Sequence, residues 1–261
     1  MKIHFFKYQA TGNDFIIIDN RAGNLQLSAE QIQHLCNRKL GVGADGLMLL
    51  EKDPLQNFNL VYYNSDGTQS LCGNGSRAAV QMAAALGLVN GKATFTAYDG
   101  PHQAELLDRG VVKLKMNDVV DTKPIGGDVF LNTGSPHLVR FVNNVAGYAV
   151  FEEGRKIRYS EPFQPGGTNV NFVELLGNNT IYVRTYERGV EDETLSCGTG
   201  VTAAALAASQ RGYQSPVKIK TRGGDLSVAF QTGHSGSPGP AFSHIYLIGP
   251  AKMVFEGTLE L

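Results

Sequence analysis

Two short stretches carry the residues best suited to chemistry. Cys72-Gly73-Asn74-Gly75 and Cys197-Gly198-Thr199-Gly200 each place a cysteine before Gly-x-Gly and an alanine-rich apolar run. A cysteine at the start of a helix sits beside unpaired N–H groups and the positive end of the helix macrodipole, which favours the thiolate. The glycines let a ligand approach the backbone closely, and N–H donors free of bulky side chains form a cradle for a carboxylate. If two such halves face each other, two thiols flank one small anion-binding cavity. Two thiolates would repel there, so the favoured state is one thiolate and one thiol: a base and an acid on opposite sides of a bound molecule. That pair suits inversion of a carbon acid. One sulfur removes an α-proton, the other returns a proton to the far face, and the helix termini stabilise the charge that builds on the carboxylate. The competing readings are a plain structural turn at each Cys-Gly pair, or a disulfide between Cys72 and Cys197.

Other candidates are fewer. Glu187 and Arg188 end a strand-like run and together can hold an ammonium and a carboxylate, the two ends of an amino acid. His137 follows Pro136 and is a candidate for tuning a nearby thiol. Cys36 sits within an apolar helical pattern and reads as core. Gly41 to Gly46 matches G-x-G-x-x-G, but a helix precedes it and a strand follows, the reverse of a dinucleotide site, so it reads as a loop. The six histidines are scattered without metal-ligand spacing, and there is no P-loop, so neither a metal nor a nucleotide cofactor is expected.

The cysteines need elements to carry them. Lys2 to Tyr8, Phe15 to Asp19, Leu47 to Glu51 and Phe58 to Tyr63 have strand character. Ser28-Ala29-Glu30-Gln31 is a capping box and predicts a helix to about Arg38. The runs Gly75 to Leu86 and Val201 to Ala208 are apolar on nearly every face, which predicts two helices buried all round. After each comes strand, Gly turn, strand, loop, strand: Ala93 to Tyr98, His102 to Leu107 and Val111 to Met116 in one case; Val217 to Thr221, Leu226 to Phe230, a Gly/Ser/Pro loop over 232–240, and Phe242 to Ile248 in the other. Thr11-Gly12-Asn13 and Thr133-Gly134-Ser135 stand at similar distances upstream of their cysteines. The shared order predicts a duplicated half, each wrapping strands around a central helix, with the seam near Asn117 to Gly127.

Composition narrows the class. Of the 261 residues, 42% are hydrophobic and 18% charged, enough for a sizeable core and too ordered a mix for a disordered chain. A net charge of −1 argues against nucleic-acid or membrane-surface binding. No apolar stretch approaches the ~20 residues of a membrane-spanning helix, and Met1 leads straight into a strand pattern rather than a signal peptide. Three cysteines without C-x-x-C make no disulfide framework. A cytoplasmic location is the expectation.

Taken together, the motifs resemble those of the diaminopimelate epimerase family. They are Thr11-Gly12-Asn13-Asp14-Phe15, Asn64-x-Asp66-Gly67, Cys72-Gly73-Asn74-Gly75-x-Arg77, Gly134-x-Pro136-His137, Asn169-x-x-Phe172, Tyr186-Glu187-Arg188-Gly189 and Cys197-Gly198-Thr199-Gly200. They fall in family order and span nearly the whole chain. The resemblance implies an α/β (α+β) fold of two pseudo-symmetric domains, each a barrel-like mixed sheet wrapped around a central helix. It places one domain over residues 1–117, completed by 249–261, and the other over 118–248. It implies a cofactor-independent enzyme that interconverts LL- and meso-diaminopimelate for lysine and peptidoglycan synthesis, and a homodimer. Cys72 and Cys197 match the paired acid and base. Gly73, Asn74, Gly198 and Thr199 would bind the reacting carboxylate. Asn13, Asn64, Asn169, Glu187 and Arg188 would recognise the amino groups and the distal carboxylate, and His137 and Glu187 would tune the thiols. The chain departs from the family at Ser135, where many members have Asn, and at Gly46, where some have Gln; the loop from Asn64 to Cys72 is about one residue short.

Racemases of the proline or hydroxyproline type share the two-cysteine logic. A thiol redox enzyme and a non-catalytic amino-acid binding module are the readings from other classes.

Overall fold

The structure is a computed structural model that describes residues 2–233 and 239–260. The middle of the 232–240 loop therefore lies outside the described residues, as does Leu261. The chain forms two compact units, one of residues 1–114 and 249–261, the other of residues 115–248.

The first unit opens with β1 (Lys2–Ala10) and β2 (Asn13–Asp19), an antiparallel hairpin turned by Thr11 and Gly12. Both turn residues have positive φ, 49° and 86°, a conformation that glycine adopts freely and threonine rarely. α1 (Ala29–Cys36) starts as its capping box predicts: Ser28 Oγ accepts the Gln31 N–H, and the Gln31 side chain accepts the Ser28 N–H. It ends two residues earlier than its pattern suggests. β3 (Gly46–Glu51) pairs parallel with β2, so α1 and the glycine loop after it form the crossover between them. β4 (Phe58–Asn64) runs antiparallel to β3 and leads to α2 (Gly73–Ala85). β5 (Lys92–Ala97) returns parallel to β4, and β6 (Gly100–Leu106) and β7 (Val111–Lys115) follow antiparallel.

The second unit repeats this plan. After a short β8 (Lys123–Ile125), β9 (Asp128–Asn132) and β10 (Pro136–Phe141) form an antiparallel pair. α3 (Val150–Arg158) crosses to β11 (Asn169–Leu176), which lies parallel to β10. β12 (Thr180–Glu187) is antiparallel to β11, with β13 (Asp192–Thr194) added beside it. α4 (Gly198–Ser209) then leads to β14 (Val217–Thr221), parallel to β12, and β15 (Gly224–Thr232) and β16 (Phe242–Pro250) follow antiparallel. Last, β17 (Lys252–Glu260) pairs antiparallel with β1 and completes the first unit. Every pairing from β1 to β7 thus has a counterpart of the same sense between β9 and β16, and α1 and α2 correspond to α3 and α4. The fold is α/β with mixed pairing throughout.

Each long helix is the axis of its own unit. α2 packs against β1, β2, β3, β4, β6 and β17, and α4 against β9, β10, β11, β12, β14 and β15. Alanine makes this possible, because a thin helix lets strands approach from every side. α4 is buried at every residue from Val201 to Ala208. α2 departs from the all-buried expectation at its end: Ala84 is half-buried and Ala85 exposed, because the last turn emerges from the core. Cys36 is buried in a separate cluster with Ile16, Ile18, Ile32, Leu35 and Leu47. Burial pushes its thiol up to about 11, so it remains protonated core. Among the described residues, no helix is long and apolar enough to cross a membrane.

Candidate active site

Each unit carries one cysteine at the N-terminal end of its axial helix, and the two surroundings differ. Cys72 is the N-cap of α2: its backbone is extended (φ −128°, ψ 111°) and its Sγ accepts the Gly75 N–H at 3.4 Å. The sulfur therefore occupies the place that a Ser or Asp oxygen fills at ordinary helix starts. Asn13 reaches it from the end of the β1–β2 turn, with Oδ1 3.5 Å from Cys72 Sγ and 3.4 Å from Asn74 Nδ2. The Asn13 amide is oriented from behind, since its Nδ2 donates to Asp45 at 2.6 Å. Asp45 in turn accepts from Arg38 at 2.8 Å, and Arg38 and Lys7 both pair with Asp14. Burial works to raise the Asp14 carboxyl, yet these two cations hold it down at about 2.

Beneath this cap lies Arg77, fully buried within an alanine-rich helix. One Nη donates to Thr11 Oγ1 at 3.2 Å, while Nε and the other Nη have no hydrogen-bond partner among the described residues. Burial pulls its guanidinium down to about 10, and the Cys72 thiolate pushes it back up. Even so it is a cation at neutral pH. By reciprocity, a cation stabilised by a thiolate stabilises that thiolate.

Cys197 is 7% exposed and makes no comparable cap on α4. Its Sγ lies 3.5 Å from Thr199 Oγ1. Thr199 belongs to a partly buried polar cluster: its hydroxyl lies 2.9 Å from His137 Nε2 and 3.2 Å from Ser135 Oγ, and its carbonyl accepts from Thr133 Oγ1 at 2.8 Å. Burial, and then the nearby Arg188 charge, hold His137 down at about 3, so its ring is neutral. On the far side of that ring Asn171 Nδ2 lies 3.1 Å from Nδ1. Gly200 makes this packing possible. A Cβ there would fall 2.4 Å from Asn171 Oδ1 and 3.2 Å from Cys197 Cβ.

The structure brings the predicted residues into two groups. Asn13, Cys72, Gly73 and Asn74 gather at the start of α2. Asn64 ends β4, and its amide is engaged in the following turn, donating to Thr68 Oγ1 at 2.9 Å and accepting from Ser70 at 3.0 Å. His137, Cys197, Gly198 and Thr199 gather at the start of α4. Asn169 joins them by donating to Pro136 O and Ser135 Oγ, while its Oδ1 accepts the Arg188 N–H at 2.8 Å. The Arg188 guanidinium rests on Gly166 O at 3.2 Å, and Glu187 accepts from Thr194 at 3.0 Å. Among the described residues, no group of three or more His, Cys, Asp or Glu side chains is placed to hold a metal ion. Sequence reasoning assigned no role to Asn171 or Arg77. The signals were present: asparagines two apart on one face of a strand (Asn169 and Asn171), and an arginine within an apolar helical run.

The family model described as diaminopimelate epimerase matches residues 5–121 and 129–254. The chain belongs to the diaminopimelate epimerase family. Relatives carrying that name include one from Flavobacterium psychrophilum, 48% identical over 97% of this chain and 99% of its own, and one from Aquifex aeolicus, 40% identical over 99% and 98%. The family makes the chain an isomerase. A phenazine biosynthesis protein of the PhzF family from Bacillus anthracis has the same fold, with a TM-score of 0.77 at 14% identity and full coverage of both chains. So does a hydroxyproline epimerase from Agrobacterium vitis, with a TM-score of 0.68 at 15% identity, covering 100% of this chain and 93% of its own.

Proposed function

We propose that this member of the family interconverts LL- and meso-diaminopimelate by a two-base proton transfer between Cys197 and Cys72, supplying lysine and peptidoglycan precursors in the cytoplasm, and that it works as a homodimer. The observation that carries the proposal is the placement of one thiol at the N-terminus of each repeated axial helix. The chemistry needs the two sulfurs on opposite faces of one α-carbon. With LL-substrate, Cys197 as thiolate takes the α-proton and becomes a thiol, while Cys72 delivers its proton to the other face and becomes the thiolate. With meso-substrate the roles exchange. The N–H groups of Gly73, Asn74, Gly198 and Thr199 hold the carboxylate and stabilise the charge that develops as the proton leaves. Asn13, Asn64, Asn169, Glu187 and Arg188 recognise the amino groups and the distal carboxylate, with His137 and Glu187 adjusting the thiols. No step calls on a cofactor.

The test is incubation of LL-diaminopimelate in heavy water. Meso product with one deuterium at the inverted carbon is expected, and Cys72→Ser or Cys197→Ser should each slow it by about 10²–10⁴-fold. Undiminished turnover by both variants ends the two-base account. Turnover of proline or hydroxyproline in preference to diaminopimelate would assign the same chemistry to a different substrate.

A further inference from the structure

The polar cluster below Cys197 has a fixed sense of donation, and Asn171 sets it. Asn171 is fully buried on β11. One of its amide atoms lies 3.1 Å from the Leu138 carbonyl, which can only accept, so that atom is Nδ2. Oδ1 on the other side accepts from Thr185 Oγ1 at 3.0 Å. The second Nδ2 proton then points at His137 Nδ1, 3.1 Å away. An amide oxygen facing the ring would favour its charged form; the Leu138 carbonyl puts the nitrogen there instead. A nitrogen that receives an N–H carries no proton of its own, so the single proton of the neutral ring sits on Nε2. Nε2–H has two acceptors, Thr199 Oγ1 at 2.9 Å and Ser135 Oγ at 3.0 Å. With a Thr199 lone pair occupied by the ring, the Thr199 proton has Ser135 Oγ at 3.2 Å or Cys197 Sγ at 3.5 Å as its outlet. A thiolate is the stronger attractor, because a charged acceptor roughly doubles the strength of a hydrogen bond.

We propose that Asn171 is a positioning residue for the Cys197 half-reaction: it locks His137 in the Nε2–H form, which turns the Thr199 hydroxyl proton toward the Cys197 thiolate. With the opposite tautomer, Nε2 would accept the Thr199 proton and withdraw it from the sulfur. The device belongs to Cys197 alone. At the equivalent place on β3 the first unit has Met48, whose sulfur would lie 3.2 Å from a Cβ at Gly75, and no amide is present there to select a tautomer. This inference rests on the two-base reading only in taking Cys197 as a thiolate during turnover. The groups facing His137 are Asn171, Thr199, Ser135 and the Arg188 charge.

The test uses the whole protein labelled with ¹⁵N-histidine, with the His137 signals assigned by their loss in His137→Gln. The unmodified protein should show a ring protonated on Nε2, bare at Nδ1, and untitrated from pH 8 to pH 5. In Asn171→Leu, which keeps the volume and removes the donor, the Nε2–H form should lose its dominance. The pH midpoint for iodoacetamide alkylation of Cys197, read by peptide mass spectrometry, should rise by about 0.5–1 unit, with that of Cys72 unmoved. A His137 proton on Nδ1, titration near the ordinary histidine value in the unmodified protein, or an unshifted Cys197 midpoint in Asn171→Leu overturns the proposal. If that variant fails to fold, the spectrum of the unmodified protein decides alone. Neither readout uses substrate, so failure to epimerise diaminopimelate would show separately.

Discussion

The two halves of the molecule set the same backbone under their cysteines and furnish it differently. Register makes the correspondence explicit. Phe15 pairs with Gly46 across β2 and β3, and Met48 with Tyr62 across β3 and β4. In the second unit, His137 pairs with Asn169 across β10 and β11, and Asn171 with Thr185 across β11 and β12. So Phe15, Met48 and Tyr62 floor one helix start, and His137, Asn171 and Thr185 floor the other. Inside the helices, Arg77 of α2 corresponds to Thr202 of α4, whose hydroxyl is spent on the Gly198 carbonyl at 2.8 Å. The first unit supports its sulfur with a buried cation over an apolar floor; the second uses neutral hydrogen-bond donors. The symmetric proton transfer proposed above does not require symmetric support. A fixed charge acts on the sulfur whatever its protonation state, whereas a hydroxyl can rotate toward the thiolate and away from the thiol.

The sharpest way to break this contrast is to remove the cation. Arg77→Met should raise the alkylation midpoint of Cys72 by about one to two pH units and leave Cys197 in place, whereas Arg77→Lys should recover much of the difference. Equal shifts of both cysteines would mean that the helix start, not the charge, had been disturbed.

Packing gives the next largest difference. Gly200→Ala puts a methyl 2.4 Å from Asn171 Oδ1, an atom already fixed by Thr185. Its counterpart Gly75→Ala meets the Met48 sulfur at 3.2 Å, on a side chain able to swing aside. Urea unfolding should show a loss of about 3 kcal/mol for the first and about 1 kcal/mol for the second. Similar losses would mean that the polar floor yields as readily as the apolar one.

The floors also differ in their response to acid. His137 is held at about 3 when folded and titrates near 6.5 when unfolded. The unfolded chain therefore binds the extra proton, and stability is lost as pH falls from the unfolded value toward the folded one, with no contribution above it. One such group costs about 2 kcal/mol between pH 7.5 and pH 5. The His137→Gln protein should lack that part of the decline. Phe15, its counterpart, contributes nothing of the kind.

How much of this could be read from the chain depended on whether a feature is local. The capping box of α1, the apolar runs of α2 and α4 and the paired Cys-Gly-x-Gly turns are each written in a few consecutive residues, and each appears where the pattern places it. The floors are not. Met48 and Asn171 are distant in sequence from the cysteines they support, and only strand register carries them there. Arg77 stood in plain view within the motif, but burial decides its role, and a lone arginine does not announce its exposure. Short β8 and β13 carry too few residues to show a period, so the pattern does not reveal them. The last turn of α2 has the pattern of core yet lies partly in solvent, because alanine gives the same pattern whether covered or bare.

α3 is the most informative omission, because the repeat calls for a helix between β10 and β11 and the sequence gives little local sign of its start. Its counterpart α1 begins with a reciprocal cap from Ser28 and Gln31. α3 begins at Ala149, which offers no side-chain acceptor and whose ψ of 69° departs from the extended cap geometry. What holds α3 is packing: Val150 and Ile157 join a cluster with Leu138, Val170, Phe172 and Tyr186, and Gly154 lies so close to Tyr186 that a Cβ would sit 2.4 Å from its ring stem. One helix is thus defined by its end and the other by its face. Removing the cap in Ser28→Ala should cost about 1 kcal/mol in urea unfolding, while adding one in Ala149→Ser should gain no more than about 0.5 kcal/mol, because the backbone there does not present the oxygen to the N2 or N3 amide. A gain from Ala149→Ser equal to the Ser28→Ala loss would show that the start of α3 relaxes into the standard cap once an acceptor is supplied, and that the two crossovers differ in composition rather than in backbone.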